Sequence, residues 1–305
     1  MKFGYIKNID HIEFQPPKPR EESVDYLQRL ATNDAVPTFY IGATGWSTKE
    51  WVGQIYPKGT KTTDFLKYYG EQFNSIELNT THYRIPTHEL VEKWKAATPP
   101  DFRFCPKLPQ SISHSRDFGL SKGLLNRFTA VIAGLEERLG CCFMQLPPYF
   151  DSSRLAQLEQ FLTLFPDHIP LAVEVRHESW FADPPTFQQF VQMCREQQVA
   201  TVVSDVAGRR DVLHTAISTN KWIVRFVGNA LHPTDYQRVD EWIQVLKVYM
   251  EKGLKEVYFF PHQHEEPIVP PIAAYILKQV EKELKIPVRG PDLEKYKTGE
   301  QMSLF

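Results

Sequence analysis

The stretch from Leu171 to Asp205, LAVEVRHESWFADPPTFQQFVQMCREQQVATVVSD, decides how the chain is read. LAVEVR (171–176) is a short, β-branched run of strand character. Asp183 before Pro184 fits an N-cap followed by proline at the first helical position, and Phe187, Phe190, Val191 and Cys194 then recur at helical spacing. TVVSD (201–205) returns to a strand pattern. A strand, a helix and a second strand in so short a span form a βαβ unit, whose strands run parallel.

The same alternation extends in both directions. Strand patterns occur at FYIGAT (39–44), SIELNT (75–80), FRFCPKL (102–108), CCFMQL (141–146), WIVRFV (222–227) and EVYFFPH (256–262), making eight with the two above. Helical spacing appears in Leu124, Phe128, Val131, Ile132, Leu135 and Leu139, and in Leu155, Leu158, Leu162 and Phe165. It returns in Val239, Trp242, Ile243, Leu246 and Tyr249, where Thr234 and Gln237 fit a capping box, and in Ile272, Ile276, Val280 and Leu284. The pattern predicts an α/β chain: a single-domain (β/α)8 TIM barrel over 39–284, preceded by an extension (1–38) with a helix near 21–32. The weak link is VAGRRDVLHTAISTN, between strands six and seven, which leaves little room for a helix. A doubly wound open sheet is the alternative, but IGATGWS has glycines only at Gly42 and Gly45 and lacks the third of a dinucleotide fingerprint.

Thirty-five Lys and Arg oppose 37 Asp and Glu, so no general basic field draws the chain to nucleic acid or anionic lipid. Strong autonomous nucleic-acid binding is not expected. No apolar run approaches the roughly 18 residues of a membrane span, and MKFGYIKNID has no apolar signal core; the expected location is cytoplasmic, with no membrane association. Cys105, Cys141, Cys142 and Cys194 sit in apolar patterns without paired metal spacing, where a thiol serves as a small hydrophobe.

In a barrel, residues of one parity on each strand point inward, so polar residues at the strand ends converge at the mouth. With Val173 and Val175 toward the helices, Glu174 and Arg176 face inward; by the same rule so do Glu77 and Asn79, Lys107, Gln145 and Asp205, with Arg225 and His262 ending the last two strands. Charges in a low-dielectric interior are costly unless paired. They read either as a site or as a self-neutralising network of Glu77, Glu174 and Asp205 with Lys107, Arg176 and Arg225. Loop residues Trp46, Tyr83, Arg84, His114, His177 and Trp180 extend the same mouth.

GATGWSTKEWVGQIYPKGT, LKYYGEQFNSIELNTTHYRIP, FCPKLPQSISHSRDF, FMQLPP, VEVRHESW and IVRFVG, in that order over residues 39–290, resemble the YecE-like domain-of-unknown-function family 72. The resemblance implies a TIM-barrel fold and carries no settled activity. The motif positions it marks are Gly45, Trp46, Glu77, Tyr83, Arg84, Lys107, His114, Gln145, Glu174, Arg176, His177, Trp180 and Arg225, largely those selected by strand parity. One departure is the Phe260-Pro261-His262-Gln263-His264 run, where many members carry an Asn-Asn pair.

Lys107, Arg176 and Arg225, with Arg84 nearby, suit an anionic substrate, and Trp46, Tyr83 and Trp180 offer flat faces to a sugar or base. Glu77 and Glu174 serve as acid and base if their surroundings push their pKa values apart, with Asp205 and His177 as further catalytic candidates. The expected substrate is a phosphate-containing sugar, nucleotide or nucleic-acid end, bound by Asn79, His114, Gln145 and His262 with the cations and aromatics above. No cofactor is required by this pattern. A divalent metal held by Glu77, Glu174 and Asp205 with His177 or His262 and His264 is a rival mechanism, and a non-catalytic binding or recruitment module is a rival class. No G-x-S-x-G elbow is present.

From Leu284 the composition turns to prolines, glycines and charges, which reads as a flexible tail over 285–305 ending in Gln301-Met302-Ser303-Leu304-Phe305. This pentapeptide resembles the bacterial sliding-clamp binding motif. Gln301 takes the glutamine role, Leu304 and Phe305 the hydrophobic plug, and Met302 replaces the usual leucine. The other reading is that it folds back on its own chain or on a second copy.

Overall fold

The computed structural model describes residues 4–31 and 36–296. All eight expected strands are present: β1 (Thr38–Ile41), β2 (Ser75–Leu78), β3 (Arg103–Pro106), β4 (Cys142–Gln145), β5 (Leu171–Glu174), β6 (Ala200–Asp205), β7 (Lys221–Val227) and β8 (Glu256–His262). The helices are α1 (Glu21–Leu30), α2 (Phe65–Gln72), α3 (Thr80–Tyr83), α4 (His88–Ala97), α5 (Gln110–Ser113), α6 (Leu124–Ile132), α7 (Leu155–Leu164), α8 (Pro184–Glu196), α9 (Pro233–Glu251) and α10 (Val269–Gln279). Asp183 caps α8 as expected, accepting from Thr186 N at 2.9 Å. The cap of α9 is instead His232, which accepts from the backbone of Thr234. Pro233, locked near helical φ, starts that helix one residue before the expected capping box.

Every strand pair is parallel, but the hydrogen bonds draw a six-stranded sheet, β1-β8-β7-β6-β5-β4, and a separate pair, β2-β3. The continuous eight-stranded ladder expected from the sequence is therefore interrupted at two seams. Between β1 and β2, side chains stand in for backbone partners. Ile41 N donates to Asn74 Oδ1 at 2.7 Å, Asn74 Nδ2 donates to Phe39 O at 2.9 Å, and the Tyr69 hydroxyl joins Ala43 N to Ser75 O. Glu77 N reaches Ala43 O at 3.1 Å just beyond. A Cβ on Gly42 would lie 2.0 Å from the Ser75 carbonyl oxygen, so the chain can run this close to β2 only with glycine there. Between β3 and β4, contact is confined to the two ends, where Gly140 N donates to Phe104 O and Leu108 N to Phe143 O.

Tyr40, Cys105, Cys141, Phe143, Ala172, Ala200, Val202, Ile223, Tyr258 and Phe260 form one buried cluster drawn from seven of the eight strands or their first residues. Larger apolar clusters fill the space between strands and helices.

No α-helix lies between β6 and β7, only the turn Arg210–Val212. Helix α1 fills the gap. Its Ser23 hydroxyl accepts from Ile217 N, Arg195 of α8 donates to the Glu22 carbonyl, and the hydroxyl of Tyr249 on α9 accepts from Arg20 N and donates to Thr215 O. The shortage of residues after β6 is thus made up from the start of the chain.

Residues 285–296 differ from the expected tether. Ile286, Val288 and Leu293 pack against the main core, Asp292 N donates to Gln72 of α2, and Arg289 pairs with Asp101 at 2.6 Å. Three apolar side chains among the charges provide that attachment. Gln301, Met302, Leu304 and Phe305 lie outside the described residues. Among the described residues, no helix is long and apolar enough to cross a membrane.

Candidate functional site

Eight of the nine expected mouth residues meet at the C-terminal ends of the strands. Arg225, on β7 and fully buried, is their hub. Its Nε and one terminal nitrogen grip the Glu77 carboxylate in a two-point fork at 2.9 and 2.8 Å, and the other terminal nitrogen reaches Glu174 at 2.9 Å. Glu77 also accepts from Asn79 Nδ2 at 2.8 Å and lies 2.9 Å from His262 Nε2. Glu174 accepts from Arg176 Nε at 2.6 Å and from the Ser204 hydroxyl at 2.8 Å. Lys107 Nζ donates to Gln145 Oε1 at 3.0 Å.

The electrostatics follow from these contacts. Burial pushes both carboxyl groups up, but the arginines outweigh it: Arg225 and then His262 hold Glu77 well below the usual carboxylate range, and Arg176 and Arg225 bring Glu174 down to about 2. Both glutamates are ionised. The expected division into a proton donor and a proton acceptor is not found, because one guanidinium stabilises both anions. Burial lowers His262 despite Glu77 beside it, so the ring is neutral, and its anionic partner assigns the proton to Nε2.

Lys107 differs from the other cations. Among the described residues it has no carboxylate within ion-pair distance, and burial together with the repulsion of Arg225 brings its pKa down to about 8. Two carboxylates face Arg225, Arg176 and Lys107, so the buried cluster carries one positive charge in excess. Half-buried His82 and His114 lie above it, their rings 5.4 Å apart. Burial, followed by Lys107, lowers both; for His82 the result is about 4.

Several expected residues belong elsewhere. Asp205 is buried on the helix side of β6, where it accepts from Arg238 Nε at 3.1 Å and Trp242 Nε1 at 2.7 Å and pairs with Arg210. Hydrophobic residues on both faces of ATVVSD leave its parity ambiguous, and the inward set is Ala200, Val202 and Ser204. Trp180 is fully buried against Phe150 and Phe190, with its Nε1 donating to Phe150 O, so it is core rather than a ligand face. His177 caps the turn Glu178–Trp180 by accepting from Ser179 N. Trp46 packs edge-on to Trp94. Tyr83 and Arg84 are exposed at the end of α3. Ser204 and His82 were missed from the sequence: the first by the parity error on β6, the second because a histidine within NTTHYR has no distinguishing spacing.

With Asp205 turned away, the carboxylate trio of the metal reading is broken, and both remaining glutamates are saturated by arginine. Among the described residues, no group of three or more His, Cys, Asp or Glu is placed to hold a metal ion.

The model of the family described as "Protein of unknown function DUF72" matches residues 40–295. The UPF0759 protein YecE of Escherichia coli K12 is 28% identical over 263 residues, covering 80% of this chain and 93% of that one. The UPF0759 protein YunF of Bacillus subtilis is 30% identical over 201 residues, covering 62% and 70%. A crystal structure of a DUF72 family protein from Enterococcus faecalis V583 superposes with a TM-score of 0.66 at 21% identity, over 84% of this chain and 99% of that one.

Proposed function

This chain belongs to the DUF72 family, and from that premise we propose that it is a (β/α)8 barrel enzyme acting on a small phosphate-bearing substrate at the C-terminal ends of its strands. The barrel reading is supported by eight parallel strands in cyclic order, with the two seams bridged by Asn74, Tyr69 and single backbone contacts.

The observation that carries the functional reading is Lys107, a buried cation whose bonded partner is a neutral amide. A structural ion network needs no such residue, since charge buried without a counter-ion only costs stability. A phosphate oxygen would supply the missing anion, with Arg176 adjacent. In that arrangement Arg225 holds Glu77 and Glu174 ionised and fixed. Asn79 and His262 lock Glu77 from the other side, so the floor of the site is rigid before substrate arrives. With a pKa about 8, Lys107 is mostly protonated at neutral pH and close enough to titration to give its proton to a leaving oxygen.

The test is turnover of a panel of phosphomonoesters and phosphodiesters by the wild type and by Lys107→Met. Hydrolysis or isomerisation of one of them, abolished in the variant, is expected. A ligand bound by both proteins without turnover by either would favour the recruitment-module reading.

Residues 301–305 carry a second proposal, recruitment to the bacterial sliding clamp through QMSLF. It is supported by the identity of Gln301, Leu304 and Phe305 with the motif's anchor residues.

A further inference from the structure

Beside the cluster, the loop after α5 and the loop after β4 face each other across a cavity of about 270 Å³, lined among others by His114, Ser115, Arg116, Tyr149, Phe150 and Arg154. Arg154 is held in place: its guanidinium lies 4.2 Å over the Phe150 ring and its Nε donates to Gln157 Oε1 at 3.0 Å. Among the described residues, neither Arg116 nor Arg154 has a carboxylate within ion-pair distance. Two guanidinium groups on one cavity repel each other unless an anion lies between them. Ser115 and Tyr149 also line the cavity, their hydroxyls donating to Ile112 O at 3.0 Å and His114 O at 3.4 Å. His114 connects the cavity to the mouth, for it lines the former and lies within electrostatic reach of Lys107 and Arg176 in the latter.

We propose that this cavity is a second phosphate subsite, so that the substrate is a compact molecule carrying two phosphate groups, one at Lys107 and one between Arg116 and Arg154. The inference rests on the reading of the mouth as a phosphate site. An arginine fork fixes a phosphate in orientation as well as position, so the second group would align the first against Lys107.

The experiment is a titration with inorganic phosphate followed by nitrogen-resolved NMR at two reporters, Arg154 Nε for the cavity and the Gln145 side-chain amide for the mouth. In the wild type both should shift and saturate. Arg116→Gln should weaken the response at Arg154 by about tenfold or more, the effect of one charge-assisted hydrogen bond, and leave Gln145 unchanged. Lys107→Met should do the reverse. An Arg154 signal that does not move, or moves equally in Arg116→Gln, overturns the subsite. If Gln145 alone fails to respond, the mouth reading is lost while the subsite stands. For the pairing of the two, fructose 1,6-bisphosphate should displace phosphate from both reporters at lower concentration than fructose 6-phosphate. Equal potency, or preferential displacement by an oligonucleotide, would contradict a compact bisphosphate.

Discussion

Arg225 binds Glu77 through two nitrogens, at 2.9 and 2.8 Å, and through its third reaches Glu174 at 2.9 Å, so one buried guanidinium from β7 joins carboxylates from β2 and β5. Side chains far apart in sequence are fixed in one cluster by this contact.

Replacing Arg225 with Met should therefore leave two buried anions without their common partner. A loss of about 3–5 kcal/mol is expected, read as a lowered denaturant midpoint at neutral pH. A change below 1 kcal/mol would mean that Arg176 and His262 hold the carboxylates without it.

Acid should weaken the fold through the same groups. Glu77 and Glu174 have native pKa values below those of an unfolded chain, so their stabilisation is complete above the unfolded value. It is lost as pH falls from about 5 through the native values, about 2 for Glu174. His82 and buried His214, each brought down to about 4, act in the same direction between roughly pH 6.5 and 4, because the unfolded chain takes protons the native state refuses. Denaturant midpoints measured from pH 7 to 3 should fall continuously. A flat profile would contradict the assigned ionisation.

Lys107→Met should stabilise the protein at pH 7, by on the order of 3 kcal/mol, while removing phosphate binding at the mouth. The native pKa of about 8 lies below the unfolded value, so the penalty is full below pH 8 and disappears as pH rises toward 10.5. The stability gap between variant and wild type should close over that window. A destabilised variant would mark Lys107 as structural.

Asp205→Asn should cost about 3 kcal/mol, since Arg238 and Arg210 lose a buried counter-charge, yet leave the phosphate response at Gln145 intact. Loss of that response without loss of stability would return Asp205 to the site.

Deleting residues 301–305 should abolish recovery of the bacterial sliding clamp in a pull-down from purified components. Equal recovery with and without the pentapeptide would end that proposal.

Much of the arrangement was legible beforehand. Six of the seven strands read for parity gave the correct inward face, most clearly where β-branched residues alternate with polar ones, as Val173 and Val175 do with Glu174. β6 failed because it is buried on both faces, and only its partners on α9 show where Asp205 points. The seams were not legible, since Asn74 and Tyr69 replace ladder bonds from positions with no strand signal. Nor was the role of α1: a helix at the start of the chain gives no sign of which gap it fills. Trp180 and His177 looked like ligands because loop aromatics and histidines carry no mark of burial or capping.

The decisive measurement is the pKa of the Lys107 side chain by NMR, with and without saturating inorganic phosphate. A value about 8 in the free protein, rising when phosphate binds, is the expected result. A lysine that titrates at its ordinary value, or one that phosphate leaves unmoved, would contradict an anion site at the mouth.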